Sequence, residues 1–70
     1  MRATYIDLTA YPDVSRRVAA VDLLRSYQYI CTEDIVSAGL RGVVVYYDDD
    51  EDIEKSPAYP HGCPHRPWHG

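Results

Sequence analysis

Seventy residues with a net charge of −4 and two cysteines make one small domain rather than a disulfide-rich scaffold. The acidic balance argues against direct binding of nucleic acid, which needs basic charge to displace counterions. No run approaches the roughly 18 apolar residues of a membrane span, and the first residues lack the apolar core of a signal peptide, so a soluble, cytoplasmic protein with reduced thiols is expected.

Along residues 3–10, Thr4, Ile6, Leu8 and Ala10 alternate with Tyr5, Asp7 and Thr9, which is the period of a half-buried strand. Pro12 stops it. Asp13 is a good N-cap and Pro12 is tolerated at a helix start, so a helix is predicted over residues 13–29. Its apolar residues fall on two arcs: Val14, Val18, Ala20, Val21 and Leu24 on one, Ala19, Leu23, Tyr27 and Ile30 on the other. A helix apolar on two sides should touch two things. Thr32 then reads as the N-cap of a second, short helix, with Glu33 and Asp34 at its positive end. Gly39 reads as the left-handed residue that closes it, with Leu40 folding back onto Ile35. Residues 43–47, Val-Val-Val-Tyr-Tyr, carry the strongest strand signal, and apolar groups on both faces require cover on both sides.

From Ser56 the composition changes, and Pro57, Pro60, Pro64 and Pro67 favour extended, polyproline-like backbone. The expected fold class is therefore α+β: a strand-helix-helix-strand domain over residues 1–55 with a two-stranded sheet, followed by an extended Pro/His-rich tail over residues 56–70. The tail is expected to be poorly ordered and dispensable for folding. Two strands make a marginal sheet, so a homodimer is expected to complete it.

Charge is distributed unevenly. Residues 1–47 hold five acids and five arginines and balance; Lys55 and Arg66 add two positive charges; the six carboxylates of Asp48, Asp49, Asp50, Glu51, Asp52 and Glu54 supply the whole excess. Such a run is too self-repelling to serve packing, and it sets up a field that a cationic partner would feel. If the run continues the preceding strand, alternate carboxylates stand about 6.5–7 Å apart, from a rise of about 3.3 Å per residue, close to phosphate spacing on a nucleic-acid strand. Its bland reading is a solubilising loop that blunts a sheet edge. The spacing does not match an EF-hand loop. Tyr46 and Tyr47 adjoin the run, and tyrosine is enriched at interfaces. The candidate partner-binding set is Asp48, Asp49, Asp50, Glu51, Asp52, Glu54, Tyr46 and Tyr47.

The tail holds His61, Cys63, His65 and His69, the right donor types for zinc, but without the separated ligand pairs that zinc sites use. Incidental histidines in a tail are the plainer reading. No catalytic residue and no cofactor are expected. The function expected is that of a non-enzymatic binding module or inhibitor whose acidic surface engages a basic, nucleic-acid-handling site on another protein, as a phage or mobile-element inhibitor would. The alternative is a small metal-binding accessory protein using those four tail residues.

Overall fold

The computed structural model describes residues 1–36 and 39–68, and for residues 33–36, 39 and 40 it describes the backbone. In chain order it contains β1 (Arg2–Asp7), a 3-10 turn (Leu8–Ala10), α1 (Val14–Ser26), β2 (Ile30–Val36), β3 (Gly39–Tyr47), a second 3-10 turn (Ile53–Lys55) and β4 (His65–Pro67). The strands form one four-stranded antiparallel sheet in the order β2-β3-β1-β4.

The first half follows from local signals. β1 ends where the Asp7 carboxylate accepts from the backbone N–H and the hydroxyl of Thr9, bonds that also hold its pKa below the usual carboxylate range. Asp13 caps α1 by accepting from the backbone N–H of Ser15 at 3.1 Å. The helix ends in a Schellman close: the Gln28 N–H donates to the Arg25 carbonyl and the Tyr29 N–H to the Leu24 carbonyl. Gln28 itself takes the left-handed conformation, φ 67°, that a glycine would occupy at lower cost.

α1 packs on β3 and β2. One arc of the helix supplies the fully buried Val21 and Leu24, while Val14, Val18, Leu23 and Tyr27 remain exposed. The core face of the sheet is set by register: Thr4 opposes Val45 and Ile6 opposes Val43. These valines and Ile6 cluster with Leu8, Val21, Leu24, Ile53, Ala58, Tyr59 and Cys63. The other face of the sheet carries Val44 between its cross-strand partners Tyr5 and Thr32, and the Trp68 ring stacks on Tyr5 at 5.7 Å.

Two expectations are corrected. The segment read as a second helix, from Thr32 to Gly39, is instead strand β2 and the start of β3; Ser37 and Ala38 of that reading lie outside the described residues. The N-cap and dipole signals at Thr32, Glu33 and Asp34 concern helix ends only. Ile30, Thr32, Ile35 and Val36 are β-branched, and a helix of about seven residues is too short to compete with a full ladder of pairs to β3. Within that ladder Asp34 pairs with Gly42 but Ile35 with Leu40, so Arg41 bulges out of register.

The second correction concerns the sheet and tail: there are four strands and one helix, and the Pro/His-rich segment forms part of the same body. β4 pairs with β1 through Thr4↔Pro67, Tyr5↔Arg66 and Ile6↔His65. The Thr4 hydroxyl donates to the Arg66 carbonyl at 3.0 Å, and the Trp68 N–H to the Ala3 carbonyl at 3.1 Å. Ala58, Tyr59 and Cys63 are buried. The prolines suit this place, because an edge strand tolerates residues that donate no ladder bond. The accessible surface of 4553 Å² matches the roughly 4450 Å² expected for a folded monomer of 8.0 kDa, which leaves no room for a loose tail.

Deleting residues 57–70 should therefore abolish the cooperative thermal transition followed by circular dichroism, since it removes a strand and three core side chains; an unchanged melt would show that the segment only rests on the surface. Gly42→Ala should cost about 1–3 kcal/mol in urea unfolding, because a Cβ there would meet the Tyr5 ring and sit 2.8 Å from the Ile6 carbonyl oxygen.

Candidate functional site

The acidic run is fixed at both ends. β3 delivers it at Tyr47, and the chain reverses at once: the Glu51 N–H donates to the Asp48 carbonyl at 3.0 Å. Ile53, inside the run, is only 4% exposed and plugs into the core, and the following 3-10 turn is closed by the Lys55 N–H donating to Asp52. The segment is a stapled loop and does not continue the strand. Carboxylates at a regular extended spacing are therefore not what the backbone makes here.

Four of the six carboxylates have a partner. Asp49 lies 3.0 Å from the Met1 amine, Glu51 accepts from the Tyr29 hydroxyl at 2.6 Å, Asp52 stands 3.8 Å from Lys55, and Glu54 lies 2.8 Å from Nε2 of His65. All these contacts are solvent-exposed, so each contributes little on its own; together they orient the loop. Asp48 and Asp50 have no partner among the described residues. Burial, with the Glu51 hydrogen bond second, pushes the Tyr29 hydroxyl above its ordinary pKa, so it remains a donor to that carboxylate across the physiological range.

The two tyrosines in the candidate set part company. Tyr47 pairs with Arg2 across the core face, and the Arg2 guanidinium lies over its ring at 5.7 Å. Tyr46 is on the opposite face, paired with Ala3 and Ile30. Beneath the loop is an open cleft of about 450 Å³, lined by Arg2, Thr4, Tyr47, Tyr59, Ile53 and the carboxylates from Asp49 to Glu54. A neighbouring groove of about 680 Å³ runs along the start of β1 and is the place where Tyr46, Tyr47, Glu54 and Trp68 come together.

Tyr59, a tail aromatic that the sequence shows could lie against the domain, is the site residue left out of the candidate set. It is 6% exposed, and its hydroxyl is buried with no hydrogen-bond partner among the described residues. Burial, then the nearby charges of Glu54, Tyr47 and Cys63, push its pKa up to about 12. Its ring is met edge-on by His61 at 5.8 Å and His65 at 5.5 Å. An aromatic between Pro57 and Pro60 was the available signal, since such a residue needs somewhere to go.

The tail donors are spread out. His61 and His65 are exposed, whereas Cys63 is a buried free thiol; burial first, and then Cys63 nearby, raise the pKa of the Tyr11 hydroxyl. His69 lies outside the described residues. Among the described residues no three His, Cys, Asp or Glu side chains are grouped closely enough to hold a metal ion, and no helix is long and apolar enough to cross a membrane. No protein-family model, curated protein or solved structure matches this chain.

Tyr29→Phe should loosen the loop. Stability should fall by roughly 0.5–1.5 kcal/mol, and the Glu51 amide should exchange faster with deuterium; an unaltered exchange rate would show that the turn holds without Tyr29.

Proposed function

We propose that this chain is a non-enzymatic protein-binding module, or inhibitor, whose acidic loop engages a basic site on another macromolecule. The observation that supports this reading is the presentation of Asp48, Asp49 and Asp50 on a turn held from below by Ile53. A charged surface whose position is set before encounter loses little ordering entropy on binding and steers a basic partner towards it. The regular phosphate-like spacing no longer supports mimicry of nucleic acid; density of charge does. A partner surface built for phosphates, arginine- and lysine-rich, is the chemistry that fits, and a phage or mobile-element inhibitor in the cytoplasm is the proposed setting.

Homodimerisation belongs to the proposal on different grounds from before. A four-stranded sheet has no need of completion, but Val14 and Val18 on one flank of α1 and Leu23 and Tyr27 on the other stay exposed, and a second copy would cover one of these pairs. Among the described residues no observation favours the metal-binding reading.

Asn at Asp48, Asp49 and Asp50 should leave the melting transition in place while weakening capture of basic proteins. Raising salt from about 50 to 500 mM shortens the screening length from about 14 Å to 4 Å and should release partners of the native chain, as should competing duplex DNA. Equal capture by the Asn variant would reduce the run to a solubilising loop.

A further inference from the structure

We propose that the cleft beneath the acidic loop receives one arginine side chain of the basic partner, its guanidinium lying between the Tyr47 ring and the loop carboxylates and donating to the Tyr59 hydroxyl. This rests on the preceding reading of the acidic loop and adds a receptor at a defined place. Charge alone would not justify it. The independent observation is Tyr59: a buried polar oxygen without a partner costs free energy, on the order of 1–3 kcal/mol, that a donor from outside would recover.

Tyr59 borders three clefts, and this is the one of them that Tyr47 also lines. Tyr59 contributes to the cleft lining, and the two charged or polar groups that most raise its pKa after burial, Glu54 and Tyr47, belong to the same lining. The oxygen is shut off from solvent, so a guanidinium reaches it only when a lining side chain turns aside; we assign that movement to Glu54, whose side chain is 60% exposed.

Three features select guanidinium over other cations. The carboxylates do not converge as metal ligands do, so the rim suits a delocalised charge better than a point charge. The Arg2 guanidinium over the Tyr47 ring at 5.7 Å shows that this wall binds such a group, and the incoming guanidinium takes the place of Arg2 there. A planar fork with five N–H donors can satisfy a carboxylate and a buried hydroxyl together, which the compact ammonium of lysine does less well.

The test is calorimetric titration of the full chain with nona-arginine and nona-lysine peptides, for the native protein, for Tyr59→Phe and for the variant with Asn at Asp48, Asp49 and Asp50. The native chain should prefer nona-arginine by about 3–10-fold, of the order that one hydrogen bond contributes. Tyr59→Phe should fold at least as well, bind nona-lysine unchanged and lose the preference. The Asn variant should weaken towards both peptides. An arginine preference that survives in Tyr59→Phe, or that the native chain never shows, overturns the receptor while leaving the acidic-loop reading intact. Binding of neither peptide by the native chain overturns both.

Discussion

Every other feature of this small fold depends on β1 being paired on both edges. Its six residues meet β3 on one side and β4 on the other, so the first strand of the chain is an interior strand of the sheet. Interior placement explains why Ile6 is fully buried and why Thr4, a polar residue, can be buried with its hydroxyl bonded to the β4 backbone. It also fixes the C-terminal segment. To reach β1 from the end of β3, the chain must cross under the core face, and the crossing drops Ile53, Ala58, Tyr59 and Cys63 into the cluster.

The acidic loop is a by-product of that crossing. A run of six carboxylates would be expected to splay and fluctuate, yet here one isoleucine in its middle is committed to the core. Self-repulsion is borne locally and offset by burial of Ile53, by the Tyr29 hydroxyl and by the contacts to Lys55 and His65. Charge density and rigidity, usually opposed in a short loop, are combined. The Tyr59 hydroxyl, without a hydrogen-bond partner among the described residues, lies at the same junction, so an unpaired buried oxygen and the densest run of charge in the chain coincide.

What was legible in the residues had a local cause. Alternation gives β1, the Asp13 cap gives α1, and consecutive β-formers give β3. What was illegible depends on partners distant in sequence. β2 carries end-of-helix residues whose local preference is overridden by pairing with β3, and β4 is a three-residue strand between prolines that has no signal of its own. For the site, the charges were plain but the turn was not: Ile53 reads as an interruption in an acidic stretch until the core it enters is known. Tyr47 and Tyr46 look equivalent in sequence, and only the register assigns them to opposite faces.

The pairing of Thr4 with Pro67 spans nearly the whole chain. β1 gains its first neighbour only with β3 and its second only with β4, so its edges stay open while the elements between them form. Helix α1 and the β2–β3 hairpin can form early from near neighbours, but the core cannot close until the proline-rich segment has docked. Folding is thus completed by its longest-range pairing, slow relative to helical domains of this size. During that interval the exposed edge of β1 is a strand-pairing hazard, which the short, proline-bounded β4 finally caps.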